Sequence, residues 1–207
     1  MTDTAKLIEA VDKADSADKL LEAVENLADA CSDAAIPTLI QVLGFNNPGA
    51  AVAAVEGLIA IGDPAVPFLL ESLDGYNYGA RAWSLRAFAG IGNPVALDLL
   101  LNAAISDFSQ SVRRAAVKGL GTIKWDKLPK EQILSAQQSA LNTLLIATKD
   151  GEWVVRYASI VALQSLGKTQ SSFIEQIKHT LHQVQAQEAA SAVRARAELA
   201  LNKLKVN

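Results

Sequence analysis

Apolar positions along this chain recur at intervals of three, four and seven, the spacing that gathers side chains on one face of an α-helix, and no stretch sustains the alternation of a strand. The pattern also repeats. Val112-Arg113-Arg114-Ala115-Ala116-Val117-Lys118-Gly119-Leu120 is matched by Val155-Arg156-Tyr157-Ala158-Ser159-Ile160-Val161-Ala162-Leu163, by Val193-Arg194 to Leu204, and by Ala80-Arg81 through Ile91. Counted from the Arg, small residues stand three on (Ser84, Ala116, Ser159, Ala197) and six on (Ala87, Gly119, Ala162, Ala200), with large apolar residues seven on (Phe88, Leu120, Leu163, Leu201). Small side chains let a neighbouring helix approach and large ones fill the remaining gap, so these offsets predict a buried stripe.

Upstream the template continues without its Arg, in Ala51, Ala54, Gly57, Leu58 and Ile61 and again thirty residues earlier in Leu21, Val24, Leu27, Ala28 and Cys31, which makes about six units. The partner helix of each unit is visible in Ala34 to Leu43 and Pro64 to Leu73, and Asn93-Pro94 opens another. Asp63-Pro64 and Asn93-Pro94 read as an N-cap followed by the first helical residue, and Gly62 and Gly92 as the ends of the preceding helices. The expected fold is therefore all-α: a HEAT-like α-solenoid, a right-handed superhelix of stacked helix pairs in one array over residues 1–207. Successive template ends are 30, 30, 32, 43 and 38 residues apart, which places insertions near 124–138 and 170–190.

Composition narrows the chemistry. A single cysteine excludes an intramolecular disulfide framework, and two histidines, His179 and His182, lack the companions of a metal site, so no metal is expected. Cys31 falls at the template position of Ile61 and Ile91 and is read as buried filler. The longest apolar runs, such as Ala50 to Val55, are far short of a membrane span, and the first residues carry acids where a secretory leader carries bases, so a cytoplasmic protein without a membrane partner is expected.

Charge is unevenly spread: residues 1–75 sum to −10, residues 76–130 to +5 and residues 131–207 to +2. A basic middle behind an acidic head can steer an anionic ligand or a complementary protein. Nucleic acid is not an expected partner, given an isoelectric point near 5.4 and only eight bases in that middle. An acid precedes each template Arg by six residues (Asp107, Asp150, Glu188) or seven (Asp74), which predicts a structural ladder of ion pairs between neighbouring repeats.

The repeat leaves one concentration of residues unexplained. All Tyr and Trp lie between positions 76 and 157, and offsets outside the buried stripe hold Arg86, Arg114, Lys118 and Tyr157, with Tyr78, Trp83 and Trp153 nearby. Arg offers a planar fork for carboxylates; Tyr and Trp offer flat faces to a conjugated ligand or to a partner. Capping of repeat ends by the same residues is the structural alternative.

Two blocks, Asp74-Gly75-Tyr76-Asn77-Tyr78-Gly79-Ala80-Arg81-Ala82-Trp83 and Asp150-Gly151-Glu152-Trp153-Val154-Val155-Arg156-Tyr157-Ala158, go beyond what helix packing requires. Together with Ser111 to Ala116 they make the chain resemble the family of phycocyanobilin lyase beta (F-type) subunits of cyanobacteria, over nearly its whole length. The resemblance implies a heterodimer with an E-type subunit that attaches phycocyanobilin to a cysteine of the phycocyanin alpha chain. The acceptor's thiolate adds to the ethylidene group of the first pyrrole ring and forms a thioether, so this chain needs no catalytic residue. Phycocyanobilin is then a transferred substrate, with no permanently bound cofactor. On that reading Arg86, Arg114 and Lys118 meet the propionates, Trp83, Tyr78, Trp153 and Tyr157 meet the chromophore, Glu152 or Asp150 meets the pyrrole nitrogens, and Tyr76 and Trp125 face the partner. Related isomerising lyases carry an adjacent His-Cys pair; here Thr180 follows His179, Gln183 follows His182, and Cys31 has no His beside it, so attachment without isomerisation is expected. A non-catalytic HEAT-repeat adaptor that binds phycobiliproteins during assembly or breakdown is the alternative.

Overall fold

The computed structural model describes residues 4–73 and 77–204. Among the described residues the regular structure is entirely helical, in twelve α-helices and four short 3-10 turns. The chain forms two compact units, Met1–Ile91 and Gly92–Asn207.

The first unit contains α1 (Thr4–Asp12), α2 (Ala17–Asp29), α3 (Ile36–Val42), α4 (Pro48–Ile61), α5 (Ala65–Glu71) and α6 (Tyr78–Ile91). The repeated template falls on α2, α4 and α6, which pack in series, α2 on α4 and α4 on α6. Its apolar offsets are the core: Val24, Leu27, Ala28, Ala54, Leu58, Ala87 and Phe88 are buried. Withdrawing a side chain such as Leu58 or Phe88 from water stabilises the fold by about 2 kcal/mol. The small offsets do what their size suggests, since a Cβ at Gly57 would stand 2.7 Å from the Cβ of Ala28.

Helix ends follow the sequence with two departures. Gly62 takes φ +81° and closes α4, with its N–H donating to the Leu58 carbonyl. Asp63-Pro64, expected as cap and first helical residue, instead forms a turn in which the Asp63 carbonyl accepts from Val66, and α5 begins at Ala65. Cys31 is the larger correction. It is exposed, not buried, and adopts φ +45°, outside the end of α2. The thirty-residue register holds on both sides, with Leu27 and Ala28 buried like Gly57 and Leu58, and Ala35 and Ile36 like Ala65 and Val66. Helix α2 ends sooner, however, so Cys31 takes the left-handed turn conformation that Gly62 supplies after α4, and its side chain leaves the stripe.

The second unit contains α7 (Leu97–Ser106), α8 (Gln110–Leu120), α9 (Lys130–Ala147), α10 (Trp153–Thr169), α11 (Ile174–Gln187) and α12 (Ser191–Lys203). Here the template falls on α8, α10 and α12, with α10 packed against both others. Asn93 caps the turn before α7 as expected, its side chain accepting from the Val95 N–H at 3.0 Å. Near 124–138 and 170–190, 3-10 turns at Trp125–Lys127 and Ser171–Phe173 lead into α9, of 18 residues, and α11, of 14, against 7 in α3 and in α5. Close approach of α8 to α10 depends on Gly121, where a Cβ would meet the Cα of Ala162 at 2.7 Å.

Candidate functional site: the exposed faces of the template helices

Residues three before, one after and five after the template Arg fall within an arc of about 80° on a helix. In the second unit these positions are Gln110, Arg114 and Lys118 on α8, Trp153, Tyr157 and Val161 on α10, and Ser191, Ala195 and Leu199 on α12, and all nine are exposed. Because α10 lies between α8 and α12, a basic column stands beside an aromatic one. Trp153 is 49% and Tyr157 37% exposed, much for rings of their size. Flat rings on one helix and cations on its neighbour suit an extended conjugated acid.

The same offsets in the first unit give Asp18, Glu22 and Asn26 on α2, Pro48, Val52 and Glu56 on α4, and Tyr78, Ala82 and Arg86 on α6. That face passes from acidic on α2 to basic on α6. Tyr78 is exposed, and Arg86 lies over the ring of Trp83 at 4.2 Å, a cation–π pair. Tyr76 lies outside the described residues.

An ion-pair ladder holds the second unit's turns. Arg113 donates from Nε to Asp150 Oδ2 at 2.7 Å and from Nη2 to Oδ1 at 3.0 Å, while its Nη1 serves the carbonyls of Asp107 and Phe108. Arg156 repeats the arrangement one unit on, with Glu188 as acceptor and the carbonyls of Asp150 and Gly151 behind it. Each acid also accepts from the N–H two residues later, at 2.8 Å in Asp107–Ser109, Asp150–Glu152 and Glu188–Ala190. Burial alone raises the Asp150 pKa, but hydrogen bonds from Arg113 and the Glu152 N–H, with the Arg113 and Arg156 charges, hold it below the usual carboxylate range. The Arg156 hydrogen bond holds Glu188 low against burial.

The ladder bears on two candidates. Both oxygens of Asp150 are engaged by Arg113, and one also by the Glu152 N–H, whereas the Glu152 carboxylate is exposed at the start of α10. Trp125, expected to face a partner, sits in a 3-10 turn at 8% exposure. His179 and His182 are exposed on α11, the former hydrogen-bonded to Gln183 at 2.9 Å. Among the described residues no three His, Cys, Asp or Glu side chains are gathered to hold a metal ion, and no helix is long and apolar enough to cross a membrane.

One residue escaped the sequence reading. Arg196, two past the template Arg of α12, is turned into the contact with α10 and is 8% exposed, its Nη2 donating to Gln164 Oε1 at 2.7 Å. A charge at an offset that α8 and α10 fill with Ala115 and Ala158 was the available signal.

Twelve helices in this arrangement are of the HEAT type, and the family model described as HEAT repeats matches residues 4–89, 66–164 and 97–202. Within that class the chain belongs to the family of phycocyanobilin lyase beta subunits. It is 52% identical to the phycocyanobilin lyase subunit beta of Pseudanabaena tenuis, over 99% of this chain and 74% of that one. It is 51% identical to the phycocyanin alpha phycocyanobilin lyase CpcF of Synechocystis sp., over 91% of this chain and 88% of the other. A solved complex of CpcE and CpcF of phycocyanin lyase from Nostoc sp. matches with a TM-score of 0.78 and 50% identity, covering 82% of this chain and 99% of that one.

Proposed function

We propose that this chain is one subunit of a heterodimeric bilin lyase, acting in the cytoplasm with an E-type HEAT-repeat partner to attach phycocyanobilin through a thioether to a cysteine of the phycocyanin alpha chain. The observation that carries the proposal is the adjacency of Arg114 and Lys118 on α8 to Trp153 and Tyr157 on α10, on exposed faces. The relatives named above support it, as does the solved complex of CpcE and CpcF from Nostoc sp..

The work of the chain is positioning. A linear tetrapyrrole is flexible, and fixing it beside the acceptor thiol converts a slow encounter into a near-unimolecular addition. Arg114 and Lys118 take propionate charge, while the rings of Trp153 and Tyr157 take the conjugated face. Glu152, the exposed carboxylate of the α10 turn, is assigned to the pyrrole nitrogens in preference to Asp150, which serves the ladder. Tyr78, Trp83 and Arg86 supply the same residue types from the first unit, for the bilin or for the partner. The nucleophile is the acceptor's cysteine, so no side chain here acts as a catalytic residue.

Co-expression with an E-type subunit, apo alpha-phycocyanin and a bilin source tests the proposal. Zinc-enhanced fluorescence of the denatured acceptor should appear with both subunits and vanish when this chain is omitted. Attachment that persists at full rate without it would move the chain to the adaptor role.

A further inference from the structure

Arg196 is charged at a place where packing asks for nothing charged. The same offset on α8 and α10 holds Ala115 and Ala158, both buried, and Gln164, which Arg196 meets, stands where α8 has Gly121. One helix contact of the unit is thus built from small residues and the next from a cation and an amide. Arg196 Nη2 bonds the neutral oxygen of Gln164, while Nη1 is buried with no hydrogen-bond partner. Burial pushes the guanidinium pKa down, opposed by the phenol of Tyr157, the titratable group that bears on it. A guanidinium nonetheless stays charged at neutral pH. A buried cation with an unpaired donor is costly until an anion meets it.

We infer that Arg196 is an anchoring residue for a carboxylate of the linear tetrapyrrole whose rings lie against Trp153 and Tyr157. The inference rests on the bilin reading above and adds to it a second, desolvated anion seat at the α10–α12 contact, on the other side of α10 from the exposed α8 cations. A propionate oxygen accepts from Nη1 while Nη2 keeps Gln164, which holds the guanidinium plane in place. Nη1 is closed to solvent, so side chains around it must shift rotamer to admit the carboxylate. Arg114 and Lys118, exposed on the surface, give attraction that salt screens. Arg196, desolvated, gives attraction that salt leaves largely intact, and it discriminates the acid from an uncharged analogue.

The test titrates the heterodimer of this chain and its E-type partner with phycocyanobilin and with its dimethyl ester, by bilin absorbance, at low and high salt. The native complex should prefer the free acid at both. Arg196→Met should lose about tenfold of the preference that survives high salt, the size of a charge-assisted hydrogen bond, leave ester binding unchanged, and unfold no earlier than the native chain. Gln164→Glu puts a carboxylate beside Arg196 from within; it should lose the same preference and raise the unfolding midpoint. If Arg196→Met fails to fold, Gln164→Glu decides alone. An acid-to-ester ratio unchanged in the folded variant overturns the inference and leaves the bilin reading standing. A native complex that takes up neither compound overturns both.

Discussion

Arg113 clamps Asp150 across 37 residues of sequence with two nearly parallel hydrogen bonds of 2.7 and 3.0 Å, while its remaining nitrogen closes the turn that precedes its own helix. One side chain thereby fixes both a turn and the spacing to the next repeat. Arg156 does the same with Glu188, so the second unit is tied by a repeated device as well as by its core.

The Arg156 rung should matter to stability, because the Glu188 side chain is only 6% exposed and loses its counter-ion when Arg156 is truncated. Arg156→Met should cost about 2–3 kcal/mol in chemical denaturation. A cost within experimental error of zero would mean the ladder only decorates the packing.

Acid should expose the same pairs. Asp150 and Glu188 have pKa values lowered in the folded state, so the unfolded chain binds protons first as pH falls. Their contribution is complete at neutral pH and is lost from about pH 4 downward, through the depressed folded values. Urea midpoints followed over that range should fall more steeply for the native chain than for Arg156→Met, in which Glu188 has lost the hydrogen bond that holds it low. Parallel slopes would contradict the assignment.

Much of this architecture was readable because helix packing has a short period. The stripe of Val24, Leu27, Ala54, Leu58, Ala87, Phe88, Ala116 and Leu120 is buried where the offsets place it, and the ladder joins the acids and arginines that spacing singled out. Turns were less readable. Asp63-Pro64 carries the letters of a helix start but sits before it, and Cys31 occupies an apolar offset in sequence but a left-handed turn in space. The apolar period continues across a helix end, so it carries no mark of where the helix stops. Arg196 shows the converse: a charge at an offset that the other template helices fill with buried Ala115 and Ala158 is itself a signal.

Cys31 now carries a stability expectation of its own. At φ +45° a residue with a Cβ is strained, and the exposed thiol contributes little packing. Cys31→Gly should stabilise the chain by about 1 kcal/mol in thermal or chemical unfolding, with bilin attachment unchanged. A destabilised Gly variant would show that the side chain packs better than its exposure indicates.

Gly121 sets the distance between the basic and aromatic columns. Gly121→Ala forces a Cβ against the backbone of Ala162 and should cost about 1–3 kcal/mol. The same displacement separates Arg114 from Tyr157, so attachment by the refolded variant should fall at temperatures where its circular dichroism is still native. Native activity in a destabilised variant would detach the column spacing from function.

The central claim is that the α8 and α10 faces hold the bilin, and the most direct measurement is the rate of phycocyanobilin attachment by the reconstituted heterodimer carrying Arg114→Glu and Lys118→Glu in this chain. Both side chains are exposed, so stability and partner co-purification should stay close to native, while attachment falls tenfold or more from the loss and reversal of two charges, about 1.4 kcal/mol or above in the barrier. Attachment at the native rate, in a heterodimer shown to be intact, would contradict the account.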